Sequence, residues 1–154
     1  MEDYLTFVDD ALDGMVDIVT GLGDDLANRR LDIAGANSPY AVLTHCLGVL
    51  EYWGGHVVAG RRIERDRDAE FRSAGSTRGL VERTRQARRQ LVADVASCEP
   101  LAPPRGALDA DVADLPIART QGGALVHIYE ELAQHRGQME VTRDVLTAPW
   151  GRGA

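Results

Sequence analysis

A chain of 154 residues with a net charge of −7, 44% hydrophobic and 27% charged residues has ordinary globular composition and can bury a core without disulfides or a structural metal, so one domain over residues 1–154 is expected. All 17 basic side chains are arginines, which excludes Schiff-base chemistry by this chain; no basic run interleaves with aromatics, so a nucleic-acid partner is not expected. Cys46 and Cys98 form no CxxC pair, the N-terminal stretch is acidic where a secretory signal would be basic, and no stretch reaches ~18 uninterrupted apolar residues, so a cytoplasmic chain without a membrane span is expected.

In chain order, Leu5, Val8, Leu12, Met15, Val16, Val19, Leu22 and Leu26 recur at three-and-four spacing, the pattern of an amphipathic helix. Gly21 and Gly23 weaken its end, and Asn28 to Gly35 reads as a loop. Asn37-Ser38-Pro39 then predicts the start of a second helix, apolar over much of its circumference, with His45 on a stripe with Val42, Val49 and Tyr52. His56 lies eleven residues further, about 16 Å along a helix axis, too far to share a metal with His45. The alternating charges from Arg61 to Asp68 predict a solvated helix end or loop. A third helix starts near Ser76 or Thr77 and runs to about Cys98, burying Leu80, Thr84, Ala87, Leu91 and Val95, its arginines mostly off that stripe. The proline-rich stretch from Glu99 to Ala118 cannot continue a helix. Its acids at Asp109, Asp111 and Asp114 lack the glycine and terminal glutamate of a calcium loop. A last long helix covers Arg119 to Leu146. With no strand-like alternation, the fold expected is all-α, a four-helix bundle with a long connection before the last helix.

The last helix carries His127, Glu131 and His135 at steps of four. Neighbours in this series can reach one point, but its two ends are about 12 Å apart along the axis, so one metal can take His127 with Glu131 or Glu131 with His135, and spacing leaves both pairs open. An inward histidine is also a common hydrogen-bonded core residue. The combination of an inward His45 with such a pair on a second helix is what raises a metal site. Cys46 points about 100° from His45 and is expected to pack rather than ligate.

The stretch HIYEELAQHRGQ resembles the final-helix motif of the DinB-like family, in which a histidine or glutamate, three residues and then His-Arg-Gly-Gln recur; GANSPYAVLTHCLGVLEYW is similar to the family's second helix with its first metal histidine, and TGLGDDL to the end of its first helix. The resemblance covers nearly the whole chain. It implies a DinB-type four-helix bundle with His45, Glu131 and His135 as metal ligands and with His127 and Arg136 near the site. Glutamate at 131, where the common version has histidine, resembles the mycothiol-dependent branch of thiol transferases and isomerases.

Three ligands leave an open position, as in catalytic zinc sites, and nickel or ferrous iron accept the same donors. The resemblance therefore implies a metal-dependent S-transferase or isomerase acting through a metal-activated thiolate, with a mycothiol-like thiol and an electrophile as small-molecule partners and a homodimeric assembly. The alternatives are hydrolysis by a metal-bound water and a non-catalytic metal-binding dimer in stress response, with Trp53, Trp150 or the arginine-rich third helix at the interface. Arg105, Arg119 and Arg136 are candidates for binding an anionic substrate.

Overall fold

The computed structural model describes residues 1–108 and 110–149, with side chains described at all but 110 and 111. Asp109, the side chain of Asp111 and Trp150 lie outside the described residues. Within them the chain is all-helical and has no strand. Helix α1 spans Glu2–Ala27. Helix α2 spans Pro39–Val49 and passes without a break into a π-helical segment, Leu50–Val58. A six-residue α3 (Arg67–Arg72), then α4 (Thr77–Val95), a single turn α5 (Ala110–Ala113), a 3-10 turn at Pro116–Ala118 and α6 (Gln121–Thr147) follow.

Local chemistry accounts for the boundaries. Gly23 takes φ 66° and ψ 176° inside α1, a left-handed excursion that glycine makes without a Cβ penalty, and the last turn after it carries Asp24. That carboxylate accepts from the backbone N–H and the hydroxyl of Thr77, both at 2.7 Å, at the start of α4. Asn28 ties the same two ends by exchanging hydrogen bonds with the backbone of Gly75. The helix of the Asn-Ser-Pro motif starts as its sequence predicts, with the Ser38 hydroxyl accepting from Ala41 N–H and Pro39 in the first turn.

Helix α1 packs on α6 and α4, and the α2–π unit packs on α6, α4 and α3. On α6 the inward residues follow a seven-residue repeat: Leu125, Leu132 and Met139 on one row, Gln121, Ile128, His135 and Thr142 on the other. His135 thus occupies an inward position of an otherwise packed stripe, and Glu131 lies on its flank. On α2 every residue but Gly48 is buried.

Three readings of the sequence need correction. The second helix changes to π geometry at Leu50, where Gly54 and Gly55 admit Leu91 and the Arg61 guanidinium against the backbone. The charge run at 61–68 is not merely solvated. Arg61 makes a bidentate pair with buried Asp94 of α4, Arg65 pairs with Glu70, and Asp66 caps α3. The third helix stops at Val95, short of Cys98. The long connection returns over the molecule, with Gln121 N–H donating to Ala102 and Gly122 N–H to Pro100. His56, excluded from the cluster on distance, lies against the carbonyls of Arg61 and Ala107.

Candidate metal centre

His45 is 2% exposed on α2, and Glu131 and His135 come to it from one face of α6. Nε2 of His45 lies 3.2 Å from Oε2 of Glu131, and Nε2 of His135 lies 3.3 Å from the same oxygen. One donor atom from each of the three fits within 4.8 Å of the other two. Metal bonds of ~2.0–2.1 Å at tetrahedral angles place neighbouring ligand atoms roughly 3.3 Å apart. The two nitrogen–oxygen separations match that value, and two imidazoles with a carboxylate are donors that a divalent ion of the zinc type accepts.

The orientation of each imidazole is fixed from behind. Nδ1 of His45 faces Glu70 Oε2 at 2.9 Å, Nδ1 of His135 faces the Gln138 side-chain oxygen at 2.8 Å, and Nδ1 of His127 faces Glu130 at 3.3 Å. Each of these oxygens is an acceptor, so donation from Nδ1–H leaves Nε2 bare to ligate. His127 stands beside the cluster, its Nε2 3.8 Å from the other Glu131 oxygen and its ring edge-on to buried Trp53 at 4.6 Å. Phe71 of α3 stacks on His45 with ring centroids 4.4 Å apart.

Electrostatics follow from this packing. Hydrogen bonds from His135 and then His45 outweigh the opposing effect of burial and hold the Glu131 carboxyl far below its ordinary range. Burial works against the charged form of His45, but its bonds to Glu131 and Glu70 outweigh it and raise its pKa. Burial likewise opposes ionisation of Glu70, and the His45 and Arg65 hydrogen bonds overcome it, so that its carboxyl is also lowered. The Cys46 thiol is pushed well up, by burial first and by the Glu131 and Glu70 charges second. It packs in the core as a neutral group.

With this geometry in hand, the comparison with known families is informative: the profile of the mycothiol-S-transferase family matches residues 3–148. The chain belongs to the mycothiol-S-transferase family. That family lies within the DinB-like superfamily, in agreement with the motif around His135. The comparison with curated proteins returns no relative of the chain.

Within this family member, the residues singled out from sequence divide into two groups. His45, Glu131 and His135 are brought together and His127 adjoins them. Arg136 is directed away, donating to Asp10 of α1 and to Glu140. Arg105 is engaged with Ser97 and Glu99, and Arg119 is exposed. Glu70 and Arg65 were not anticipated. Arg65 sits in the alternating charge run, a pattern that solvated segments share, and Glu70 lies just beyond it. A cleft of about 270 Å³ is lined by Thr44, Gly48, Arg65 and Glu70 but by none of the three converging residues. The side chains of Glu131 and His135 are 26% and 22% exposed, so solvent reaches the cluster at these two residues. No helix among the described residues is long and apolar enough to cross a membrane.

Proposed function

We propose that the chain is a metal-dependent thiol S-transferase acting with mycothiol or a similar low-molecular-weight thiol, with zinc, nickel or ferrous iron held by His45, Glu131 and His135. The observation that supports this most is the convergence of two imidazole Nε2 atoms on one Glu131 oxygen, at 3.2 and 3.3 Å, in a chain of this family. Two imidazoles and a carboxylate leave at least one position open, and a divalent ion there lowers the pKa of a thiol so that it is held as thiolate, the nucleophilic form.

The chain's own residues supply the rest. Glu131 contributes the one anionic ligand, and Glu70 and Gln138 keep the two ligating imidazoles in the tautomer with Nε2 free. Buried Trp53 packs against His127, and Phe71 stacks on His45. His127 Nε2, next to Glu131, is placed to accept a hydrogen bond from an S–H group approaching from the half-exposed face. In the overall transfer an S–C bond forms, the bond from carbon to its leaving group breaks, and the thiol proton departs with that group.

The long segments α1, α2 with its π extension, α4 and α6 are read as a DinB-type four-helix bundle making one domain. Its setting is taken to be the cytoplasm, and its assembly a homodimer. Support for the dimer comes from an exposed stripe along the back of α6, Val126, Tyr129, Ala133, Gly137, Val141 and Val145, beside exposed Phe7.

Elemental analysis of the purified protein tests the metal. The expected result is about one divalent ion per chain for the wild type and loss of that ion in His135→Ala; unchanged content in the variant removes the assignment. Incubating the loaded protein with mycothiol and a panel of alkylating electrophiles tests the transfer. Thiol consumption that depends on the metal supports it, and absence of turnover across the panel leaves a metal-binding protein only.

A further inference from the structure

We infer that Glu70, seated against Gly48 and clamped by Arg65, is a positioning residue that holds His45 ready for the metal. This rests on the metal reading above and concerns residues that the donor set itself does not include.

The argument starts from the shape of α2. His45 and Gly48 are three residues apart, so they share a face of the helix. A methyl group at position 48 would overlap Oε1 of Glu70, which means that the carboxylate lies directly on the helix backbone one turn after His45. Only a residue without a Cβ leaves that space. From this seat Glu70 Oε2 reaches Nδ1 of His45 at 2.9 Å. Its position is fixed from the other side by Arg65, whose Nε and Nη2 donate to Oε1 and Oε2 at 2.7 and 2.9 Å.

This fork is the strong, directional form of the arginine–carboxylate pair, and both partners are largely screened from water. Arg65 Nη2 also approaches Nδ1 of His45 at 3.3 Å. Because the guanidinium cannot accept, that contact forms only when Nδ1 is bare. The shorter contact to Glu70 forms when Nδ1 carries the proton. A metal on Nε2 requires the second state, so Glu70 selects the tautomer that ligates. Glu70 and Phe71 are neighbours on α3, so one short helix delivers both the hydrogen bond behind His45 and the ring stacked on it. The backbone carbonyl of Phe71 is in turn held by Arg30 at 2.7 Å.

Two variants displace the carboxylate by different routes. Glu70→Leu keeps about the same volume and removes the acceptor, which a glutamine oxygen would retain. Gly48→Ala leaves Glu70 in the chain but pushes its flexible end out of the seat, while removing a glycine from a helix interior, which favours the helix. Zinc affinity is measured by competition with a chromophoric chelator, and the thermal melting of the metal-free proteins is followed in parallel. Each variant is expected to bind zinc about 10- to 100-fold more weakly than the wild type, as loss of a partner behind a ligating histidine does. Gly48→Ala should do so while the metal-free chain still folds cooperatively, since the helix preference of alanine offsets the lost Glu70–His45 contact. The double variant should bind about as weakly as either single one, since both remove the same contact. If the wild type binds zinc and Gly48→Ala and Glu70→Leu bind it equally well, the positioning role is overturned and the metal site stands. If the wild type binds no zinc, the metal reading falls and this inference falls with it.

Discussion

Glu131 is the residue at which the site's charges meet: three imidazole Nε2 atoms face its two oxygens at 3.2, 3.3 and 3.8 Å. Without a metal these contacts compete with ligation, because His45 then keeps a proton that a metal must displace. Its pKa is raised above 6.5 in the folded chain. A raised histidine pKa contributes stability that is fully present below the unfolded value and lost as pH rises through the folded one. Glu131 and Glu70, both lowered, keep their charge until well into acid, so the effect of His45 operates above the carboxyl range. Metal affinity has the opposite slope, since Nε2 must be bare to ligate. Melting of metal-free wild type and His45→Gln from about pH 5 to 8, with zinc affinity measured alongside, checks both. Relative to His45→Gln the wild type should lose stability as pH rises, while its zinc affinity increases. Parallel melting curves for the two proteins would sink the proton-competition account. Of these residues, His45, Glu131 and His135 were legible in sequence, from helical spacing together with the His-Arg-Gly-Gln motif. Spacing alone left His127 and His135 as equal partners of Glu131; in the structure the Nε2 atoms of His45 and His135 share one Glu131 oxygen and His127 stands beside them.

At the scale of elements, the regular helices were readable because their signals are periodic or local. Ser38-Pro39 starts α2, Ser76 caps α4, and the inward rows of α4 follow the apolar spacing. The short α3 was not readable. Six residues, Arg67 to Arg72, with none buried carry no apolar periodicity, and long-range contacts to His45 and Arg30 hold them in place. The local traces of it are the Asp66 cap and Gly48, three residues after His45. Two other glycines allow a direct test of how α6 is seated. A Cβ at Gly123 would lie 2.6 Å from the carbonyl oxygen of Ile117, with the other near atoms also backbone, whereas a Cβ at Gly21 meets nothing within 4 Å. The helix-propensity gain of ~1 kcal/mol is common to both. Overpacking against a backbone that cannot yield costs ~1–3 kcal/mol and should decide the sign at position 123. Urea denaturation should therefore place Gly21→Ala above the wild type by up to ~1 kcal/mol and Gly123→Ala below it. Equal midpoints for the two variants would mean that the 3-10 turn is not packed on the start of α6 as described.

For the whole molecule, the distribution of apolar surface separates two faces of α6. One row is buried in the core and bears His135. The opposite row, Val126, Tyr129, Ala133, Gly137, Val141 and Val145, advances by three or four residues throughout and is exposed. Val126 and Val141 are each 64% exposed, and Phe7 of α1 extends the row with its ring 5.8 Å from that of Tyr129. Contiguous apolar surface of this kind marks a contact face more often than a scattered set does, and alanine and glycine at its middle permit close approach of a second helix. In a two-fold dimer the same row meets itself, so a single substitution is present twice near the axis. Val141→Glu would there bring two like charges together in a chain already at −7, with no contact to His45, Glu131 or His135. Light scattering after size exclusion should give the mass of two chains for the wild type and of one chain for Val141→Glu, with metal content equal in the two. A wild type with the mass of one chain at micromolar concentration would remove the dimer, and loss of metal in a monomeric Val141→Glu would instead tie the site to the interface.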